Sequence, residues 1–419
     1  MARRLSEALA RNYRYVVLAA SVGLMLMGSG GLYLLVIALK PIAQEFGWPR
    51  TVPSTAYAMQ FIGAGIGGSV MGHWLDRSGM GMPALIGAIM IGLGAALASK
   101  IESAWQLYAI YGVMMGLFGQ GTLFSPLMAN VIRWFDARRG TAVAIVASGQ
   151  SLAGMLWPPV FRHFNDSVGW RETFLGYGVL ALCIMLPLSA IMQRLPPGHR
   201  GRADNKPASA ASAAPRRARP DVGRSSPMMI QAILSLAIIC CCIAMALPLA
   251  HIVSHASDIG HSPARGAEML ALAFVTSFFA RMFWLGPLAD RHGGLVALFV
   301  FSAFQLAGVV LLVFVDGLVG LYLALAVFGI GYGGVLPAYP IIVREYLPLN
   351  RGGALTAAVI FFGGIGMATG GWLGGRVFDS TGGYGPAFLV GVAFNVANLA
   401  IAGALIYSRR HGRLAPVAE

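Results

Sequence analysis

A single arginine interrupts a long apolar stretch of the chain. Residues 270–293 read LALAFVTSFFARMFWLGPLADRHG, with Arg281 nine residues before Asp290. Nine helical residues span about 13 Å, so if Asp290 marks the boundary of a hydrocarbon layer about 30 Å thick, Arg281 lies near its middle. A charge at that depth costs about 3 kcal/mol by insertion scales, and it persists where it faces a polar interior and meets an anion.

The chemistry that suits Arg281 is the binding of a carboxylate. Its planar guanidinium can donate to both carboxylate oxygens at once, and it stays charged at any working pH. One monoanion neutralises it, which favours a monocarboxylate over a dicarboxylate as the ligand. The alternative is an arginine whose N–H groups are satisfied by helix carbonyls or which reaches outward to water. We expect Arg281 to anchor a carboxylate.

The composition indicates that lipid surrounds most of the chain. Of the 419 residues, 57% are hydrophobic and 11% are charged, whereas soluble domains carry about 25% charged residues. The four cysteines lie in apolar stretches without metal-ligand spacing; they are Cys183, Cys240, Cys241 and Cys242. The sequence contains no phosphate-binding loop, catalytic triad or dinucleotide fingerprint. It therefore predicts a membrane protein that is not an enzyme and has no cofactor or metal site.

Twelve apolar segments are each long enough for a transmembrane helix, which predicts an all-α membrane protein. They cover residues 15–39, 53–75, 81–99, 105–132, 140–162, 170–193, 228–254, 266–288, 294–315, 318–343, 352–375 and 384–407. The one long polar stretch, residues 194–227, is rich in Pro, Ala and Arg and is typical of a flexible linker. We expect one six-helix bundle over residues 1–193 and a second over residues 228–419.

The basic residues indicate the orientation of these segments. With both termini in the cytoplasm, 22 of the 30 Lys and Arg residues fall on the cytoplasmic side, seven fall outside and Arg281 lies within the membrane. Cytoplasmic loops of membrane proteins carry such an excess of Lys and Arg. The net charge of +14 is therefore a topology signal, and we expect no nucleic-acid partner.

The chain also contains an internal repeat at offsets of 211 to 214 residues. The pattern G-x-x-x-D-R-x-G follows the second segment and again the eighth; its fixed residues are Gly72, Asp76, Arg77 and Gly79, and then Gly286, Asp290, Arg291 and Gly293. Arg133 and Arg139 are echoed in the same way by Arg344 and Arg351. A parallel repeat of this kind predicts two pseudo-symmetric six-helix halves.

The duplicated loop motif resembles that of the major facilitator superfamily, and the resemblance covers the whole chain. Two further stretches are similar to bacterial members of the monocarboxylate-transporter-like and oxalate/formate-antiporter-like branch: the loop R-W-F-x-x-R-R-G at residues 133–140, and Glu45-Phe46-Gly47-Trp48-Pro49-Arg50. The resemblance implies that Arg281 is the carboxylate anchor and that the loop motifs hold the cytoplasmic side shut. In that role Asp76 faces the N-terminus of helix 11, and Asp290 faces that of helix 5.

The sequence departs from related mammalian carriers at the residues of proton coupling. Those carriers have an aspartate four residues before the helix 8 arginine, and here that residue is Ser277. Helix 1 has no lysine near its middle, since Lys40 falls at the outer end. The remaining candidates for a proton-carrying group are Glu268, Asp258 and His251, with His255 nearby. The alternative for each of these residues is that it lies at the surface or in a loop and carries no proton.

Polar side chains in other spans complete the candidate substrate site. Tyr33 and Gln120 rank first, because helices 1 and 4 line the cavity in the family that the chain resembles. Tyr57 and Gln60 share a helix face, since they lie three residues apart. The further candidates are Ser277, Gln150 and Tyr332. Hydrogen bonding between helices is the alternative role for each of them.

These observations together predict a multi-pass inner-membrane carrier, monomeric, that moves small organic anions such as lactate or pyruvate. Two bundles would rock about a site at Arg281, and a proton is the candidate co-transported ion, which makes the protein a symporter. One alternative is a drug or metabolite exporter of the same fold, for which Arg281 is dispensable. The other is a transporter-like ligand sensor, which the short linker disfavours because it cannot hold a folded output domain.

Overall fold

The computed structural model describes residues 2–135, 139–194, 227–347 and 352–411, and all regular secondary structure in them is helical. The described chain forms twelve long helices, each coinciding with one predicted span. Their bounds are α1 Ala2–Phe46, α2 Thr51–Ser78, α3 Gly81–Ala98, α4 Ala104–Trp134, α5 Arg139–Val168, α6 Trp170–Ile191, α7 Pro227–Asp258, α8 Pro263–His292, α9 Gly294–Phe314, α10 Leu318–Tyr346, α11 Gly352–Thr381 and α12 Gly385–Arg410. The predicted linker, residues 194–227, lies outside the described residues except at its two ends.

The last glycine of each repeated loop motif makes the turn between two helices. Gly79 has a φ of 78° and joins α2 to α3, and Gly293 has a φ of 87° and joins α8 to α9. A residue with a Cβ is strained in this left-handed region, which is why glycine ends both motifs. Each amide also donates back into the preceding helix, from Gly79 to Leu75 at 3.0 Å and from Gly293 to Ala289 at 2.8 Å. The sequence repeat therefore corresponds to a repeat in backbone geometry.

Ten of the helices in the described chain are long and apolar enough to cross a membrane. Helices α2 and α5 are each rich in small residues. Both lie between the two groups of six helices, with α2 packed on α11 and α5 packed on α8. Small residues permit these approaches: a Cβ on Gly371 would lie 2.3 Å from the Tyr57 ring, and one on Gly154 would lie 2.4 Å from the Phe274 ring. Small residues at such positions let the backbones of two helices approach closely.

Two helices form the centre of the molecule. Within the most apolar window of α1 83% of the residues are buried, and in that of α7 78%, whereas in α12 the share is 28%. Helices α1–α6 pack with one another and so do α7–α12. These two halves meet along the pairs α1–α7, α2–α11 and α5–α8. A site between the halves is therefore lined by these helices.

The two ends of the bundle differ in their loops. We call the end where α1 joins α2 the Arg50 face, and the opposite end, where α8 joins α9, the Asp290 face. The distribution of Lys and Arg predicts that the Asp290 face is cytoplasmic.

Candidate functional site

An aromatic cluster joins the two halves at the centre of the bundle. The Tyr33 ring of α1 packs edge-on against Phe274 of α8 with centroids 5.5 Å apart, and Phe274 packs edge-on against Tyr332 of α10 at 5.4 Å. All three side chains are buried. Gly154 of α5 lies directly against the Phe274 ring, where a larger residue would not fit. Four helices from both halves thus meet at Phe274.

Three phenols predicted for the substrate site come together around this cluster. Tyr332 lies within electrostatic range of Tyr33 and of Tyr57. The Tyr57 ring is buried between Phe61, 5.0 Å away, and the backbone of Gly371 in α11. The tyrosines selected from α1, α2 and α10 are therefore neighbours in space.

Arg281 lies beside this group and is half-buried. Its Nε–H donates to the carbonyl oxygen of Gly333 in α10 at 3.0 Å, and the Tyr332 phenol lies within electrostatic range. Among the described residues no hydrogen-bond partner of its two Nη groups is found, and no carboxylate forms an ion pair with it. The part of the chain that the structure describes therefore offers no negative charge to match this partly buried guanidinium.

The position of Arg281 on α8 relates it to the aromatic cluster. Arg281 follows Phe274 by seven residues, which is two helical turns, so the two side chains lie on the same face about 10 Å apart along the axis. Phe274 uses that face to contact α1 and α5 of the first half. Arg281 therefore lies on the face of α8 that carries Phe274, on the Asp290 side of the aromatic cluster.

The helix widens at this arginine. Residues Arg281–Leu285 form a π-helical segment within α8. Pro287 lacks the amide hydrogen that would bond to the carbonyl of Phe283, so the regular hydrogen-bond ladder cannot continue there. In α4 a second π-helical segment, Ile110–Gln120, ends at the half-buried Gln120. Such segments occur frequently at functional sites.

Ser277 occupies the position where related carriers have an acid, and it is completely buried. Its carbonyl oxygen lies 2.4 Å from the place where a Cβ on Gly333 would stand, so α8 and α10 touch through their backbones here. The Ser277 hydroxyl has no hydrogen-bond partner in the described part of the chain. An aspartate would not be solvated in this contact, and the serine supplies no titratable group.

The two remaining candidates lie in the first half. Gln60 is 1% exposed, and neither of its side-chain polar atoms has a partner among the described residues. Its main chain lies against Gly116 of α4, which places Gln60 in the α2–α4 contact. Gln150 of α5 is half-buried. The structure does not bring these glutamines into contact with Arg281.

The loop-motif residues of the second half lie at the surface. Asp290, Arg291 and Gly286 are exposed. In the first half the side chains of Asp76 and Arg77, like the environment of Gly72, lie outside the described residues. The gating contacts expected of Asp76 and Asp290 therefore stay a prediction.

The structure also brings together a charged cluster on the Arg50 face, whose role the sequence did not indicate. Arg50 donates to both carboxylate oxygens of Asp258 at 2.5 and 2.8 Å, and Lys40 pairs with the same carboxylate at 2.8 Å. The amides of Arg50 and Thr51 donate to Asp379 at 2.8 Å each, so Asp379 caps the N-terminus of α2. Seven hydrogen bonds join the two halves in this cluster, which we call the Arg50 latch.

A tyrosine closes the inner side of the Arg50 latch. Arg50 donates to the Tyr384 hydroxyl at 2.9 Å, and its guanidinium lies 3.9 Å from the Phe378 ring centroid. Burial raises the pKa of Tyr384 to about 12, so the phenol remains a neutral partner for Arg50. In the sequence, the stretch Glu45 to Arg50 indicated this cluster only indirectly, through its similarity to other bacterial transporters. The partners on α7 and α11 lie far away in the sequence.

The candidates for proton coupling fall into different environments. Glu268 is exposed, pairs with Arg265 at 2.9 Å and accepts a hydrogen bond from Tyr322. Asp258 belongs to the Arg50 latch. His251 is completely buried within α7. The structure thus separates one buried candidate from two that already hold basic partners.

Comparison with protein families identifies the chain over nearly its entire length. The family model described as Major Facilitator Superfamily matches residues 19–267 and 232–419. The chain is 25% identical over 369 residues to monocarboxylate transporter 13 of Bos taurus, with 86% of this chain and 80% of that protein covered. It is 22% identical over 320 residues to the uncharacterized MFS-type transporter YhjX of Escherichia coli (strain K12), with 76% and 77% covered.

Solved structures share the same architecture. The chain superimposes on a bacterial homolog of the human lysosomal transporter Spinster, in an inward-facing and occupied conformation, with a TM-score of 0.71 at 14% sequence identity. That match covers 97% of this chain and 99% of the other. The nucleoside transporter NupG gives a TM-score of 0.70 at 10% identity, with 94% and 99% covered. This likeness shows the fold alone.

Proposed function

The chain belongs to the major facilitator superfamily, and we propose that it is a secondary carrier of small monocarboxylates, such as lactate or pyruvate, in the inner membrane. One observation carries the proposal: Arg281 is a half-buried cation without a carboxylate partner among the described residues. A relative, monocarboxylate transporter 13, supports the same substrate class by its name.

The substrate would complete the charge balance of the site. A desolvated cation without a counterion costs several kcal/mol, and a carboxylate that hydrogen bonds to it offsets that cost. Because Nε is already engaged by Gly333, the two Nη groups remain to bind the two carboxylate oxygens. The neighbouring Tyr332 hydroxyl can donate a third hydrogen bond to the substrate.

The size of the substrate follows from the aromatic cluster. Tyr33, Phe274 and Tyr332 are packed edge to face on the side of Arg281 that faces the Arg50 face. A ligand held at Arg281 therefore meets rings and a few hydroxyls within one or two helical turns. Such a lining suits a carboxylate with a short apolar or hydroxylated tail.

Transport would proceed by rocking of the two halves. In the described structure the Arg50 latch joins the halves on one face, while Asp290 is exposed on the other. We infer that this is the conformation in which substrate reaches Arg281 from the cytoplasmic side. The loop motifs would close that side when the Arg50 latch opens, with twelve spans and both termini in the cytoplasm.

Uptake into proteoliposomes tests the proposal. Radiolabelled lactate or pyruvate should enter wild-type vesicles saturably, and Arg281→Ala should reduce the rate about a hundredfold, since loss of one partner of a buried charge pair costs 2–5 kcal/mol. Arg162→Ala is the matched control, because Arg162 forms an exposed ion pair with Asp166 on the same helix. Absence of uptake by the wild type, or unchanged uptake by Arg281→Ala, contradicts the proposal.

The alternative is an exporter of drugs or metabolites with the same fold. That function requires no carboxylate anchor, so the Arg281→Ala variant should then still export a lipophilic cation such as ethidium. The same vesicles distinguish the two functions when they are loaded with ethidium in place of the anion.

A further inference from the structure

Two buried histidines lie directly beneath the Arg50 latch. His251 and His255 are one helical turn apart on α7, so both face the same side of that helix. His251 is 0% exposed and His255 is 5% exposed. They lie in the final turns of a helix whose other buried residues are almost all apolar. Buried polar side chains are normally hydrogen bonded, and those that are not often serve a function.

The hydrogen bonds of His251 define its tautomer. Its Nε2 lies 2.8 Å from the carbonyl oxygen of Gly371 in α11. A carbonyl oxygen only accepts, so Nε2 carries a hydrogen, and in the neutral ring Nδ1 holds a lone pair. No partner of Nδ1 is found among the described residues, and the same is true of Nε2 in His255. His251 therefore presents an unused basic nitrogen in the protein interior.

Both rings are in contact with the tyrosine of the latch. His251 stacks on Tyr384 with ring centroids 4.9 Å apart, and His255 packs edge-on against Tyr384 at 6.1 Å and against Phe388 at 5.1 Å. Tyr384 accepts the hydrogen bond from Arg50. The latch thus covers the histidines, and its opening would uncover them.

The charges that face the two rings come from every neighbouring segment. Arg50 and Asp379 face His251, while the groups that face His255 are Asp258, Asp316 and His261. A proton on His251 would place a second positive charge in a dry site close to Arg50. That charge would repel the Arg50 guanidinium while the latch is closed. Opening of the latch removes Arg50 and admits water, so it favours protonation.

We propose that His251, with His255 beside it, is the proton-binding site of the transport cycle and that the Arg50 latch couples its protonation to opening of the Arg50 face. A proton from the outer solution binds Nδ1 of His251 when the latch is open. After closure of the latch Arg50 repels this charge, and the proton leaves to the cytoplasmic side, which is then open. The titratable group then lies on α7, whereas α8 carries Ser277 at the position where related carriers have an acid. The transport part of the inference rests on the proposed monocarboxylate function.

A distance measurement without substrate tests the coupling. Spin labels at Glu102→Cys and Val319→Cys report the separation of the two halves, because these exposed residues lie on the Arg50 face of opposite halves. The background carries Cys183→Ser, since the other three cysteines are buried. Lowering the pH from about 8 to about 5 spans the titration range of histidine and should lengthen the distance in the wild type.

The double variant His251→Gln, His255→Gln should remove this response. Glutamine keeps an N–H that can donate to Gly371, but it cannot take up a proton. His163→Gln is the matched control, because His163 is exposed on α5. A pH-independent distance in the wild type, or an unchanged response in the double variant, overturns the proposal.

A transport measurement uses pyruvate as the probe. In the double variant, accumulation driven by a proton gradient should fall about tenfold, whereas pyruvate exchange without a gradient should persist, since exchange requires no net proton movement. Equal accumulation by variant and wild type overturns the proposal. If the wild type moves no pyruvate but shows the pH-dependent distance, the substrate assignment fails and the proton site stands.

Discussion

Arg281 donates its Nε–H to the main-chain oxygen of Gly333 at 3.0 Å, and this bond fixes the guanidinium against α10. The bond depends on an unusually close approach of two helices. A Cβ on Gly333 would lie 2.4 Å from the oxygen and 3.0 Å from the Cα of Ser277, so only glycine fits between α8 and α10 at this level. The acceptor of the arginine is therefore also the residue that sets the helix spacing.

Substitution of Gly333 by alanine should separate α8 from α10 and displace the acceptor of Arg281. We expect the KM for the transported anion to rise about tenfold and the free energy of unfolding to fall by about 1–3 kcal/mol, as for overpacked sites. Uptake kinetics and thermal unfolding in detergent measure the two effects. Gly176→Ala is the control, since nothing lies within 4 Å of a Cβ there, and it should leave both unchanged or slightly stabilise α6. Normal KM in the Gly333 variant would contradict this positioning role.

Replacement of Arg281 by methionine should separate function from stability. The variant removes a half-buried charge that has no anion among the described residues, so the free energy of unfolding should rise by about 1–3 kcal/mol while transport is lost. Thermal unfolding without substrate and uptake assays give the two readings. Arg162→Met, at an exposed pair, should change stability by about 0–1 kcal/mol and leave transport intact. A strongly destabilised Arg281 variant would indicate a structural arginine.

Substitution of Arg50 by glutamine should open the Arg50 face. The bidentate bond to Asp258 joins the two halves, so its loss should shift the closed-to-open ratio about tenfold toward the open state. The spin-label pair at positions 102 and 319 measures the shift. Arg265→Gln is the matched control, because it breaks an ion pair with Glu268 on the same face but within one half. Equal distances in all three proteins would mean that the latch does not hold the halves together.

The buried phenol of Tyr384 predicts a loss of stability at alkaline pH. Its folded pKa of about 12 lies above the usual value near 10, so the folded state binds more protons than the unfolded state between these values. Stability therefore falls as the pH rises from about 10 to about 12, by about 3 kcal/mol in total. Thermal unfolding of wild type and Tyr384→Phe across this range tests the prediction. The free energy of unfolding should fall more steeply with pH in the wild type than in Tyr384→Phe. Parallel slopes would contradict the raised pKa of Tyr384.

The twelve helices and the repeat were predictable because their signals are local. Each helix coincides with an apolar run in the sequence, and the φ of 78° at Gly79 and of 87° at Gly293 follows from glycines at equivalent places in one motif. The burial of α1 and α7 at the centre was less evident, since all twelve runs are apolar. Composition indicates that a helix lies in the membrane, but not which helix faces lipid.

The sequence by itself determined that the chain is a helical membrane protein and that an arginine interrupts one of its apolar stretches, because both features can be read from single segments. Only the tertiary structure decided what surrounds that arginine and how the bundle closes. Arg50 binds Asp258 and Asp379, which lie 208 and 329 residues away in the sequence. Ser277 packs against the backbone of α10, and His251 stacks on Tyr384 from the loop before α12. Contacts of this kind depend on how helices distant in the sequence pack together, and no local pattern encodes that packing.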